Sequence, residues 1–222
     1  MTEEEWLNAA GPKAIVPAVG GQPARKRRLW AIACVRRLVD CWNGFGDFYA
    51  AALGAGDAYA DDAAQRAALV AVRRRVAAEQ RELESSHDEY RYYFTCICWA
   101  VWLALDPADV NLAELAIRVS DATHDRYERP DWEAEDRVYG SVARCVFGNP
   151  YRSVASDRRW RTADVLGMAR GIYEERAFDR LPILADALQD AGCADEQLLG
   201  HGRGPGPHVR GYWVVDLVLG KA

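Results

Sequence analysis

The segment from Tyr92 to Leu105 constrains this chain more than any other. Past Arg91 it is apolar on nearly every side of a helical wheel, with Trp99, Trp102 and Leu105 among its residues. A helix that is apolar all round belongs at the centre of a helical assembly. It falls short of the roughly 20 residues that cross a bilayer, so a buried axle is expected rather than a membrane anchor. No stretch shows sustained strand alternation with hairpin turns, so no sheet is expected to share the core. The fold class expected is all-α: an irregular multi-helix bundle around a central helix at about 90–105.

Other helices are predicted from caps and breakers. Thr2 and Glu5 form a capping box for a short helix carrying Trp6 and Leu7. Gly11, Pro12, Pro17, Gly20, Gly21 and Pro23 then break regular structure, which makes residues 1–24 an arm. A helix starts at Arg25 and ends at Gly44 and Gly46; a short piece over Asp47 to Leu53 stops at Gly54 and Gly56. Asp61 or Asp62 caps a long helix to about Glu84. Asp88 to Leu105 is the axle. Asp106 followed by Pro107 predicts an N-cap and a new helix reaching His124. Asp131 or Trp132 restarts a helix to Phe147, and Gly148, Asn149 and Pro150 make the clearest break in the chain. Thr162 caps the next helix, Leu181 to Leu188 forms another, and a short one covers Asp195 to Leu199. A Gly/Pro-rich loop from Gly200 to Pro207 precedes the final helix with Trp213 and Val214. The expected division is an arm at 1–24, a helical core at 25–147, and a C-terminal helical segment at 148–222 packed into the same domain.

Charge is unevenly laid out. No acidic residue occurs between Glu5 and Asp40, a stretch that holds Lys13, Arg25, Lys26, Arg27, Arg28, Arg36 and Arg37. From Asp106 to Asp136 there are ten carboxylates against Arg118, Arg126 and Arg129. The two stretches are solvated faces, or pair with each other inside the fold, or form a dipolar surface that steers a charged partner. A net charge of −5 argues against general nucleic-acid coating. Nucleic-acid contact through the basic Arg25 to Arg37 helix is a lesser alternative. The opening Met1 and Thr2 with three glutamates does not read as a secretory leader. A cytoplasmic protein with its 6 cysteines as reduced thiols is expected.

Candidate chemistry is sparse. Cys96 and Cys98, two apart on a helix, point away from each other and cannot share a metal. Cys34 and Cys41 have no partner at zinc-site spacing. Buried thiols are expected, with no metal and no cofactor. His87-Asp88 and His124-Asp125 resemble the His-Asp pair of helical metal-dependent phosphohydrolases, but the chain holds only 4 histidines for the further ligands such enzymes need. Arg118 and His124 resemble the Arg-x4-6-His motif of HEPN ribonucleases, in which His acts as acid or base and Arg stabilises developing phosphate charge. Arg203 to His208 has the same spacing. With 25 arginines and 4 histidines, a chance match is expected. The loop from Gly200 to Arg210 gathers His201, Arg203, His208 and Arg210 on flexible backbone, either as a tight chain reversal or as an anion or phosphoprotein site. Glu174, Glu175, Asp179 and Asp186 interleave with Arg176 and Arg180 as helix ion pairs. Asp216 sits on an apolar helix and needs a partner from elsewhere in the fold, because a lone buried carboxylate is costly.

Three stretches, Phe147 to Tyr151, Ile172 to Leu188 and Gly204 to Gly220, resemble the C-terminal region of a large, multi-copy family of uncharacterised bacterial proteins. Met1 to Leu7 and the Arg27 to Arg37 helix are similar to that family's N-terminus. The resemblance covers about half of the chain and leaves 47–140 largely outside it. It implies no activity and no catalytic residues; multi-copy character fits an interaction or regulatory module. The expectation is a non-enzymatic protein-interaction or adaptor module with a protein partner. Its binding residues are His201, Arg203, His208, Arg210, Arg25, Arg27 and Arg28. The enzyme alternatives are the HEPN-like or His-Asp chemistry above.

Overall fold

A computed structural model describes residues 1–40, 46–85, 91–124 and 132–221. Among these the chain is all-α, with twelve α-helices. They are α1 (Glu3–Asn8), α2 (Pro12–Val19), α3 (Ala24–Asp40), α4 (Gly46–Asp61), α5 (Arg66–Ser85), α6 (Arg91–Ala104), α7 (Leu112–His124), α8 (Trp132–Phe147), α9 (Ala163–Glu175), α10 (Leu181–Asp190), α11 (Glu196–Arg203) and α12 (Trp213–Leu219). No helix among the described residues is long and apolar enough to cross a membrane.

The apolar tract becomes α6, packed against α3, α4, α5 and α7. Ile97, Ala100, Val101 and Ala104 are fully buried on it. Trp99 and Trp102 are only half-buried. The Arg73 guanidinium covers the Trp102 ring at 3.6 Å, and Arg118 lies 5.7 Å from the Trp99 ring. The axle is thus buried along one broad face and roofed by cations along the other.

Two apolar clusters share the load. The larger one joins α1 to α8 around Trp6, Trp30, Ile97 and Leu105. The second is built from α9 to α12 and includes Cys145 of α8. Helix α8 is the seam between them: Tyr139, Val142, Ala143 and Val146 face the first, Cys145 the second. The N-terminal arm is docked across that seam. Trp6 is buried and its indole Nε1 donates to the Gly148 carbonyl at 3.1 Å.

Local expectations hold where caps decide the matter. Thr2 and Glu5 make the reciprocal capping box, and Thr162 accepts from Val165 N–H at the start of α9. Three expectations are corrected. Residues 12–19 are helical, because Pro12 occupies the first turn, where no N–H is needed, and the helix seats Ile15 and Val19 in the core. Helix α4 runs straight through Gly54 and Gly56. Gly56 is where α4 crosses α3 and α6: a Cβ there would sit 2.8 Å from Ile32 Cδ1 and 2.9 Å from Leu105 Cδ2. The glycine serves close approach and not chain reversal. The helix expected at Asp106-Pro107 begins instead at Leu112, with Asn111 Oδ1 capping Glu114 N–H. Asp106 divides its carboxylate between the Ala108 N–H at 2.9 Å and the Arg73 guanidinium at 2.6 Å, and no helix follows it directly.

The uneven charge resolves inside the fold. Arg27 pairs with Asp109 at 2.5 Å, Arg37 with Glu135 at 2.7 Å, and Lys13 with Asp121 at 3.7 Å. The basic segment and the acidic segment face each other at these three points.

Candidate functional site

Two buried polar clusters lie against the C-terminal core, and the expected binding residues divide between them. The first is centred on Asp216 and Asp61. Asp216, on α12, is 1 % exposed. Its partners come from α3: Arg25 donates at 2.8 and 3.2 Å, and Lys26 approaches at 2.5 Å. The Lys26 ammonium also donates to the carbonyls of Val146 and Gly211, which uses its remaining donors. Asp61, at the end of α4, binds Arg25 at 3.0 Å and Arg210 at 2.6 Å, accepts a hydrogen bond from the Tyr173 hydroxyl at 2.7 Å, and lies 3.4 Å from Lys221. Burial works against the Asp61 carboxylate, but Tyr173, Arg210 and Arg25 outweigh it and hold its pKa at about 2. For Arg25, burial lowers the guanidinium pKa, yet Asp216 and its other anionic neighbours carry it above its ordinary value. Nearby, Asp57 bridges Arg36 and Arg176. Arg176 therefore leaves the helix ion pairs expected of it, while Arg180 keeps its pair with Glu175 at 3.0 Å. Asp216 is buried and partnered from a distant helix, as its setting demands.

The second cluster is made of Cys145, His201 and His208. Cys145 stands in the last turn of α8. His201 is on α11, which extends through Gly200 and Gly202 to Arg203, past its expected end. His208 lies in the connection from Gly204 to Tyr212. Gly206 lets the chain turn back there: its φ is +85°, and a Cβ on it would lie 2.9 Å from the His208 backbone nitrogen. The donor atoms of the three residues lie within 4.8 Å of one another. His208 Nε2 donates to the Gly204 carbonyl at 3.0 Å. In the neutral ring this leaves Nδ1 as a bare lone pair. That Nδ1 and the Nε2 of His201 are buried and have no hydrogen-bond partner among the described residues. Cys145 Sγ accepts from Val209 N–H at 3.4 Å. The His201 ring stacks on Tyr212 with centroids 5.3 Å apart. Burial, with His208 and Arg144 adding to it, lowers the His201 pKa to about 4. Burial likewise pushes the Cys145 thiol up to about 12.

Two openings reach this cluster. A cavity of about 220 Å³ is lined by His201, His208, Ser141 and Arg144. A wider cleft of about 550 Å³ runs between the N-terminal arm and α11–α12, and shares Arg144, Gly200 and His201 with the first. Its walls include Trp6, Leu7, Arg152 and Trp213. Leu7 is 49 % exposed at its edge. Arg152 reaches Glu3 at 2.5 Å, and Arg144 donates to the Ala9 carbonyl at 3.1 Å, so the arm and the cleft floor are tied together.

The other expected site residues are spent within the fold. Arg27 pairs with Asp109. Arg28 is 4 % exposed, donates to the Ala104 carbonyl at 3.2 Å and lies 4.9 Å from the Tyr59 ring. Arg25, Lys26, Arg27 and Arg28 of the basic helix thus each meet a carboxylate or a carbonyl within the fold. Arg203 binds Asp186 at 2.7 Å and Gln189 at 2.6 Å. Arg118 pairs with Glu114 at 2.7 Å and faces Trp99, whereas His124 contacts Asp136 at 3.2 Å and the Trp132 ring at 4.9 Å. The two engage different neighbours and share no partner among the described residues. His87, Asp88, Asp125 and Cys41 lie outside the described residues. Cys34, Cys96, Cys98, Cys145 and Cys193 are all buried free thiols, and Cys98 meets the Tyr49 hydroxyl at 2.9 Å.

Comparison with protein-family models, curated proteins and solved structures finds no match to this chain.

Proposed function

We propose that this chain is a non-enzymatic helical interaction module, an adaptor of cytosolic type, that takes a segment of a partner protein into the cleft between the N-terminal arm and α11–α12. The observation that carries this reading is the cleft itself, about 550 Å³ and open, with an exposed leucine and a tryptophan beside the guanidinium of Arg152. Tryptophan and arginine are among the side chains that carry most binding energy at protein interfaces. The arm that forms one wall is held by Trp6, Glu3 and Ala9, so the cleft is preorganised and loses little entropy on binding. The likeness of Met1 to Leu7 and of Gly204 to Gly220 to a multi-copy bacterial family supports the same reading, because both stretches border the cleft.

Affinity capture with the wild-type chain and with Leu7→Glu tests this. Leu7 is exposed, so the substitution leaves the fold intact. A discrete partner retained by the wild type and lost by the variant is expected. Equal recovery on both would remove the cleft from the account.

A further inference from the structure

The geometry points to a transition-metal site in which Cys145, His201 and His208 bind one borderline-soft cation of the Zn²⁺ class through a thiolate and two imidazoles. Four observations carry this. The three donors meet within 4.8 Å although they come from α8, α11 and the connection before α12. Two ring nitrogens are buried without partners, a costly condition that a metal relieves. The Nε2 of His208 is already engaged by the Gly204 carbonyl, the contact that fixes the tautomer and aims the opposite nitrogen of a metal-ligating histidine. A cavity of about 220 Å³ is lined by both histidines, though not by the fully buried Cys145, and adjoins the cluster.

The donor set selects the class of ion. One sulfur and two imidazole nitrogens suit Zn²⁺ and its relatives; hard cations such as Mg²⁺ and Ca²⁺ want oxygen. Three protein ligands with an open position define a site that exchanges its fourth ligand, unlike a closed four-ligand structural centre. Arg144 borders the same cavity with its guanidinium held by the Ala9 carbonyl. A cation so placed favours an anion, hydroxide included, in the fourth position. Binding balances simply. The Cys145 S–H bond breaks, its proton leaves to solvent and a sulfur–metal bond forms. Each imidazole contributes its lone pair as a water leaves the ion. No electron is transferred. The site is independent of the peptide reading of the cleft, although His201 lines both openings.

The test uses the full-length chain, stripped with chelator and titrated with Co²⁺ as a coloured substitute for Zn²⁺. Saturation at one equivalent is expected, with a thiolate-to-cobalt charge-transfer band and the intense visible absorption of a four-coordinate ion, both abolished by Zn²⁺. His208→Gln should weaken binding by roughly 100-fold or more. Cys145→Ser should remove the charge-transfer band. Arg203→Gln, on the same helix as His201 but outside the cluster, should change neither. Should Cys145→Ser fail to fold, His208→Gln decides the matter alone, since His208 sits in a half-buried connection. Absence of the charge-transfer band in the wild type overturns the proposal. Its persistence at full affinity in His208→Gln does so equally.

Discussion

The two buried polar clusters beside the C-terminal core are made of similar material and end in opposite states. Around Asp61 and Asp216 every carboxylate oxygen has a donor, and Lys26 has three acceptors. Around Cys145 two imidazole nitrogens are buried with no protein partner among the described residues. A largely satisfied buried network acts as cement: it joins α3, α4, α9 and α12, its carboxylates are fully engaged, and among its polar atoms Arg210 Nε is left without a partner among the described residues. An unsatisfied one is tolerated where a ligand completes it. The contrast assigns structure to the first cluster and binding to the second, although one short stretch, His201 to Arg210, supplies Arg210 to the first and both histidines to the second.

That contrast can be broken by mutation. The largest effect belongs to Asp216→Ala, which leaves Lys26 and Arg25 facing each other inside the protein. It should cost about 3–5 kcal/mol in denaturant unfolding. A loss within about 0.5 kcal/mol would show the cluster to be dispensable. Lys26→Met keeps Arg25 on Asp216 but strands the carbonyls of Val146 and Gly211. Its expected cost is smaller, about 1–3 kcal/mol. Acid sharpens the comparison further. The folded pKa of Asp61 is held at about 2, below its ordinary 3.8. Its contribution to stability is therefore full above about pH 4 and is lost as pH falls towards 2. Unfolding midpoints measured across that window should drop steeply in the wild type and less steeply in Asp61→Asn. The smallest effect is expected in the open cluster: His208→Gln removes no satisfied pairing except the one to Gly204, which glutamine can remake. Without metal it should shift stability by less than about 1 kcal/mol. A larger loss would mean that the histidines are cement as well.

Much of the helical order was legible because the signals are local. The Thr2 box, the Thr162 cap and the break at Gly148 act over a few residues, and the apolar tract announces α6 by composition alone. The misread places are those where a distant contact overrides a local rule. Pro12 and Pro17 read as breakers, yet Ile15 and Val19 have a core to enter. Gly56 reads as a stop, yet Ile32 and Leu105 need its missing side chain. Asp106 reads as the cap of a helix and does accept from the Ala108 N–H, yet its other oxygen holds Arg73 and the helix starts only at Leu112. Asp216 was legible in part: its burial and its need for a distant partner follow from an acid on an apolar helix, but nothing local names Arg25 and Lys26. The Cys145, His201 and His208 cluster was the least legible. His201 and His208 stand out in the loop. Their thiol partner lies far back in α8 with no ligand spacing to mark it, and no local rule predicts that the turn at Gly206 swings His208 towards it.

X-ray absorption at the zinc edge on the full-length chain, loaded with a single equivalent of Zn²⁺, tests the central claim most directly. The account predicts a first shell with a sulfur at about 2.3 Å and imidazole nitrogens at about 2.0–2.1 Å. A shell of oxygens alone, with no sulfur, would contradict it.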